Sequence, residues 1–151
     1  MQPAQSKEEE EFRKLNLEMR YLEQTAETLQ QRVGMVNAAL TDLTYANMTI
    51  EGIEKEKENT ELLVPTGGGS YVQAKLVNPD KVIISVGAGV SMEKPLPEAK
   101  VILKERMAEL EKTRNSAQQQ FTQIAERIAM GRTRMDSLLV TLRQGKAPGN
   151  V

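Results

Sequence analysis

Apolar side chains recur every three or four residues along two long stretches of this chain. In the first stretch the repeating positions are Phe12, Leu15, Met19, Leu22, Ala26, Leu29, Val33, Val36, Leu40 and Leu43. In the second stretch they are Leu103, Met107, Leu110, Arg114, Ala117, Phe121, Ile124, Ile128, Gly131, Met135, Leu138 and Leu142. This spacing is that of a coiled-coil seam held for more than four heptads. We therefore predict a mainly α fold in which two long helices pair.

Signals at the ends of these stretches set the expected bounds of the helices. Ser6 is followed three residues later by a glutamate, which is the spacing of a capping box, so the first helix is expected over residues 6–60. Pro97 suits the first turn of a helix, and the second helix is expected over residues 97–144. A glycine and a proline follow, which predicts a flexible tail at residues 145–151.

The two predicted helices have matched lengths of roughly 45 to 50 residues, or about 70 Å each, which favours an antiparallel coiled-coil hairpin. One register centres this hairpin between Asn78 and Pro79, which are themselves a turn signal. It places Met19 opposite Leu138 and Ala26 opposite Gly131. A shift of one heptad in either direction fits the same two seams, so the sequence leaves the register open.

Residues 62–94, between the helices, lose the helical spacing. The runs SYVQAKLV and KVIISV are rich in β-branched residues and are separated by NPD, which suits a tight turn. We expect the glycines of GGGS and GAG to let the backbone turn a corner between strands. The sequence thus predicts two β-hairpins, with strands in residues 62–76 and 81–94, inside a single domain that spans residues 1–151.

These predicted strands carry apolar side chains on both faces. In KVIISV, for example, Val82 and Ile84 point to one side and Ile83 to the other. Isolated hairpins are marginal in water, and one chain whose helices run off as a coiled coil has nothing to cover both faces. We therefore expect the strands to join a barrel or sandwich with strands of other subunits. The residues assigned to this contact are Leu63, Val64, Tyr71, Val72, Ala74, Leu76, Val82, Ile83, Ile84, Val86 and Val90.

The composition argues against catalysis. The chain has no Cys and no His, which removes thiolate metal ligands and the commonest general base. The segment GGGSYVQA lacks the lysine of a Walker loop, and GAGVSM lacks the third glycine of a dinucleotide fingerprint. We expect no enzymatic activity, no metal site and no cofactor.

Charge and hydropathy limit the partners. Lys and Arg total 20 and Asp and Glu total 21, a balance that favours neither nucleic acid nor an anionic membrane. The segment MQPAQSKEEEEF is polar where a signal peptide is apolar, and the apolar runs are too short to cross a bilayer. We expect a cytoplasmic protein that binds no nucleic acid and no membrane.

The segments LVPTGGGSYVQAK and DKVIISVGAGVSMEK, with a long helix on each side, resemble the α subunit of prefoldin. The resemblance covers residues 8–144, and two hairpins instead of one are typical of the α class. It implies a heterohexamer of two α and four β subunits, whose hairpins build a β-barrel platform that carries the coiled coils.

The resemblance also implies a function. Prefoldins are ATP-independent holdases, which capture non-native client proteins and transfer them to a group II chaperonin. The alternative is an α-like prefoldin that self-assembles through its β-hairpins into a filament or a homo-oligomeric scaffold.

In the family, clients contact the free ends of the coiled coils, which are the two termini of this chain. The sequence adds a hint, because apolar residues leave the seam near these ends, at Leu17 and Tyr21 and at Met130, Leu139 and Val140. The residues assigned to client binding are Phe12, Leu15, Leu17, Met19, Tyr21, Met135, Leu138, Leu139, Val140 and Leu142. For Met19, Met135, Leu138 and Leu142, simple filling of the seam is the competing interpretation.

Overall fold

The structure is a computed structural model, and it describes residues 6–145. The elements in chain order are α1 Lys7–Glu54, β1 Glu61–Gly67, β2 Ser70–Lys75, β3 Lys81–Gly87, β4 Val90–Pro95 and α2 Leu96–Gly145. The predicted mainly α fold, with two long helices around two β-hairpins, is confirmed. Apart from Gly145, the predicted flexible tail lies outside the described residues.

Helix α1 begins as its cap predicts but ends earlier than expected. The amide of Glu9 donates to the Ser6 hydroxyl at 3.2 Å, which is the capping contact. At the other end, Asn59 adopts a left-handed φ of 66° and its amide donates to the Leu76 carbonyl at 2.7 Å. The amide of Leu76 donates to the Thr60 carbonyl at 2.9 Å. Residues 59 and 60 therefore extend the β1–β2 ladder, and the expectation of a helix up to residue 60 is wrong.

The two hairpins are built alike. Strands β1 and β2 pair antiparallel, as do β3 and β4, and each pair forms a separate two-stranded sheet. In both turns the two loop residues have positive φ, at 57° and 77° for Gly68 and Gly69 and at 50° and 75° for Ala88 and Gly89. Such angles define the type I′ turn, which matches the twist of an antiparallel pair. The glycines thus turn a corner between strands, as the sequence predicts, and the described strands close no barrel within the chain.

The described residues fall into two compact units. The first consists of residues 6–36 and 113–145, and the second of residues 37–112.

The second unit has an apolar cluster of its own. Its buried members are Ile50, Ile84, Leu96, Ala99 and Leu103, against which Leu43, Ala46, Ile53, Val82 and Ile102 pack. Helix residues of this chain therefore cover the Ile84 face of β3. The sequence predicts that the chain cannot cover both faces of its strands; it covers this one, and Ile83 on the opposite face is exposed. Ala99 is fully buried in the cluster, and its small side chain allows strand and helix to pack closely.

The first unit is a packed pair of helical segments. Its buried apolar residues include Met19, Leu22, Leu29 and Val36 from α1 and Ala117 and Leu138 from α2. Met19 lies directly against Gly131, where an added Cβ would overlap the Met19 sulfur. Met19 therefore faces Gly131, and the register that placed it opposite Leu138 is wrong by one heptad. A long, flexible Met fills the gap beside a glycine that Ala26 would have left open.

Candidate functional site

Large apolar side chains are exposed at the ends of the two helices in the first unit. Tyr21 is 68% exposed and Leu17, one helical turn earlier on α1, is 62% exposed. On α2, Met130 and Val140 are similarly exposed. The off-seam positions that the sequence singles out as Leu17, Tyr21 and Val140 therefore do lie at the surface. We call Leu17, Tyr21, Met130 and Val140 the tip patch.

The remaining predicted tip residues are less exposed, and all of them except Leu139 belong to the seam. Met19 and Leu138 are buried. Phe12, Leu15, Met135, Leu139 and Leu142 are half-buried. In this structure the buried pair fills the space between the helices, which is the competing interpretation given above. The half-buried residues present part of their side chains to solvent along the same end of the unit.

Ion pairs join the two helices beside this seam. Arg134 contacts Glu11 through two hydrogen bonds, from Nε to Oε1 at 2.7 Å and from Nη2 to Oε2 at 2.9 Å. Arg127 contacts Glu18 at 2.8 Å, and Arg132 contacts Glu23 at 3.2 Å. In each pair the acid is on α1 and the base on α2. These contacts flank the seam as e and g positions do in a coiled coil.

The two hydrogen bonds from Arg134 lower the pKa of the Glu11 carboxyl below its ordinary value of 4.5. Partial desolvation opposes this shift, and the positive charge of Arg134 adds to it. Glu11 in turn raises the pKa of Arg134. Both groups are therefore charged at neutral pH. The sequence alone does not reveal this pair, because opposite charges signal contact across two helices only when the register is known.

A second exposed apolar surface lies on the hairpins of the second unit. In the first hairpin, Val64 is paired with Val72 across the ladder, and Leu63 and Tyr71 belong to the opposite face. All four side chains are exposed, so this hairpin presents apolar side chains to solvent on both faces. Of the other residues assigned to assembly, Ile83, Val86 and Val90 are exposed, Ala74, Leu76 and Val82 are half-buried, and Ile84 is buried.

The second hairpin differs from the first because its two faces are unlike. Ile84 is 7% exposed and Ile83, the preceding residue, is 78% exposed. Most of the residues that share a face with Ile83 are polar or charged, among them Ser85 and Glu93. Arg106 of α2 also donates to the Ser85 carbonyl and ties this strand to the helix. The second hairpin is thus partly covered within the chain, and the first is not.

Among residues 6–145, acidic side chains form no group of three or more that would hold a metal ion. None of the helices in this range combines the length and the hydropathy needed to cross a membrane. What these residues offer is exposed apolar surface flanked by ion pairs, an arrangement suited to binding other polypeptides.

Comparison with known proteins decides the family. A model of the prefoldin subunit family matches residues 22–140 of the chain. The chain belongs to the prefoldin family. Prefoldins are non-enzymatic chaperones, so the exposed apolar surfaces described above belong to a chaperone-type protein.

The relatives it matches are prefoldin α subunits. The prefoldin subunit alpha of Methanococcoides burtonii is 36% identical over 121 residues, which cover 80% of this chain and 88% of that protein. That of Nitrosopumilus maritimus is 30% identical over 140 residues, which cover 93% of this chain and 96% of that protein. These matches confirm the resemblance to the α class of prefoldin.

A solved structure shares the fold. A chain in the cryo-EM structure of filamentous prefoldin from Methanocaldococcus jannaschii matches with a TM-score of 0.66 and 25% sequence identity. The match covers 76% of this chain and 94% of that chain.

Proposed function

We propose that this prefoldin chain is the α subunit of an ATP-independent holdase of the cytoplasm. It captures non-native client proteins at the tip patch and transfers them to a group II chaperonin. The observation that carries the proposal is the exposure of Leu17, Tyr21, Met130 and Val140 at one end of the helical pair. Each such side chain gains roughly 1.5 to 3 kcal/mol when it is buried, so apolar segments of a client are favourable partners.

Several weak contacts suit a holdase better than one strong contact. The tip patch contains only four side chains, so one chain is expected to bind a client weakly. When several subunits engage the same client, the effective concentration of each further contact is high and the combined affinity rises. We expect two α and four β subunits, joined through the exposed hairpin residues, to supply this multivalency.

The tip patch is tested with three substitutions in the assembled complex, Leu17→Ser, Tyr21→Ser and Val140→Ser. We expect the complex to form normally and its suppression of client aggregation to fall several-fold. Val101→Ser is the matched control, because Val101 and Val140 are both 55% exposed on α2 but Val101 lies in the other unit. Equal suppression by the triple variant and the control would show that clients bind elsewhere.

The alternative is a chain that assembles with itself into a filament or homo-oligomer. The similarity to a chain from filamentous prefoldin of M. jannaschii supports this alternative. Native mass spectrometry of the purified chain, with and without a β-type subunit, separates the two possibilities. The holdase complex predicts a discrete assembly that requires β subunits. The self-assembling alternative predicts large assemblies of the α chain alone.

A further inference from the structure

One ion pair of the first unit differs from its neighbours in geometry. The Arg134 guanidinium meets the Glu11 carboxylate with two parallel hydrogen bonds, at 2.7 and 2.9 Å. Arg127 and Arg132 are each bonded to their glutamates through one nitrogen. A bidentate pair fixes the relative orientation of its two groups as well as their distance. Glu11–Arg134 is therefore the contact best suited to holding the two helices in one arrangement at this end.

The Glu11–Arg134 pair also lies beside two apolar residues of the seam. A shallow depression on the first unit is lined by Leu15 and by six charged residues, namely Lys7, Glu10, Glu11, Lys14, Glu18 and Arg134. Leu15 is half-buried, and so is Phe12, which follows Glu11 directly. An apolar segment that approaches Leu15 from this side meets the charged groups first, including the Arg134 side chain that spans to α1.

The same pair lies where helical structure is least stable. Glu11 is in the second turn of α1, which begins at Lys7. The free energy of local opening is close to zero at a helix end and rises toward the interior of a structure. An exposed ion pair changes an equilibrium constant only a few-fold at most. In the middle of a helix that factor is negligible, but near the end it is enough to change how often the terminal turns separate.

We propose that the Glu11–Arg134 pair is a latch at the end of the coiled coil. When the pair is formed, Phe12 and Leu15 stay half-buried in the seam and the tip patch is the main surface open to clients. When it breaks, the first turns of α1 separate from α2 and the two side chains become available as additional client-binding surface. This proposal rests on the proposed holdase function, and it assigns to two charged residues the control of how much apolar surface the protein presents.

Hydrogen exchange on the assembled complex tests the latch itself, without any client. Glu11→Gln and Arg134→Gln are each expected to speed amide exchange over residues 10–17 by about two- to fivefold. The double variant is expected to exchange no faster than either single variant, because both substitutions remove the same contact. Glu10→Gln is the matched control, since Glu10 is the adjacent residue and contacts Lys14 of its own helix, at 3.8 Å. Glu10→Gln removes one negative charge, as Glu11→Gln does, but leaves the Glu11–Arg134 contact between the helices intact.

The second readout is suppression of client aggregation at limiting chaperone. We expect Arg134→Gln to suppress more than the wild type, and Arg132→Gln, whose pair lies farther from the start of α1, to match the wild type. Unchanged exchange over residues 10–17 would overturn the latch, as would faster exchange with no gain in suppression. Failure of the proposed function is distinguishable from failure of the latch. In that case the wild-type complex would not suppress client aggregation, whatever the exchange rates are.

Discussion

Gly67 and Gly68 are adjacent in the first hairpin turn, but their backbones differ in what they permit. Gly68 has φ of 57°, which lies in the left-handed region that other residues occasionally adopt, and Gly67 has φ of 102°, which lies outside it. The second hairpin shows the consequence, because alanine stands at the equivalent position, Ala88, with φ of 50°. The first turn therefore requires glycine more strictly at Gly67 than at Gly68.

This difference gives a prediction for stability. No heavy atom lies within 4 Å of a Cβ built at Gly67 or at Gly68, so the cost of alanine comes from the backbone alone. We expect Gly68→Ala to lower the free energy of unfolding by about 1 kcal/mol and Gly67→Ala to lower it by up to about 3 kcal/mol. Chemical denaturation at fixed protein concentration measures both. Gly52→Ala, in α1 and equally uncrowded, is the control and should instead stabilise the chain by about 1 kcal/mol.

The contact between Glu11 and Arg134 gives a prediction for pH. Because the folded-state pKa of Glu11 is lowered, its stabilising contribution is complete above the ordinary value of 4.5 and is lost as the pH falls through the lowered value. A double-mutant cycle of Glu11→Gln and Arg134→Gln should therefore show favourable coupling at neutral pH and none in strong acid. Thermal denaturation at both pH values measures it.

The cycle isolates this pair from the other charges around it. Lys7, Glu10, Lys14 and Glu18 line the same depression, and their charges are a background to the measured coupling. They do not change its sign, because they are present in all four members of the cycle. Coupling that persists in strong acid, where the Glu11 carboxyl is protonated, would mean that the two side chains interact by something other than charge.

At the scale of elements, the sequence was sufficient for type and approximate bounds but not for register. The change from a period of three or four residues to β-branched runs located both hairpins to within a residue or two. The seam, however, repeats every seven residues, so Met19 fits opposite Leu138 as well as opposite Gly131. The choice depends on the shapes of particular side chains, and it became visible only in the packing of Met19 against Gly131. The early end of α1 at Glu54 likewise depends on Asn59 bonding to Leu76, which no local pattern encodes.

The register is directly testable because the chain contains no cysteine of its own. We expect Met19→Cys with Gly131→Cys to form a disulfide within one chain under mild oxidation. Met19→Cys with Leu138→Cys should not, because seven residues along a helix are about 10 Å, beyond the reach of the bond. Mass spectrometry of cleaved peptides without reduction identifies the linked pair. A disulfide to position 138 alone would restore the register that we reject.

The hairpin β3–β4 illustrates a second limit of sequence reading at this scale. Alternation assigned Ile83 and Ile84 to opposite faces, but it did not show which face the chain covers itself. Since Ile84 is buried in the cluster around Leu96 and Leu103, we expect Ile84→Ala to lower the free energy of unfolding by about 2 to 4 kcal/mol. Ile83→Ala should change it by less than about 0.5 kcal/mol. Thermal denaturation at several protein concentrations separates this effect from any change in assembly.

At the scale of the whole molecule, the two helices carry opposite charge. Helix α1 has ten acidic and five basic residues, and α2 has six acidic and nine basic residues. The acidic partners on α1 that bond to a base on α2 are Glu11, Glu18, Glu23 and Glu54. Two copies of α1 would bring like charges together at these positions, which disfavours pairing between equivalent helices of different subunits. The charge pattern therefore favours pairing of α1 with α2, and the contact that we propose between subunits lies in the hairpins.

This division of roles predicts which exposed apolar residues matter for assembly. Val72 on β2 is 53% exposed and Val101 on α2 is 55% exposed, so the two differ in location and not in residue type or exposure. If the uncovered first hairpin is the contact between subunits, Val72→Ser removes a side chain that becomes buried on assembly. Burial of a valine contributes roughly 1.5 kcal/mol or more, so we expect the dissociation constant of the complex to rise at least about tenfold.

Val101→Ser is the control for the loss of an exposed valine outside the hairpins. It should leave the dissociation constant within about twofold of the wild type, because its side chain stays in solvent whether or not the subunits associate. Analytical ultracentrifugation over a range of concentrations measures both variants, and far-UV circular dichroism should show the same helix content in each. If Val101→Ser weakened the complex as much as Val72→Ser, the helices would contribute to the subunit contact, and assembly would no longer be a property of the hairpins.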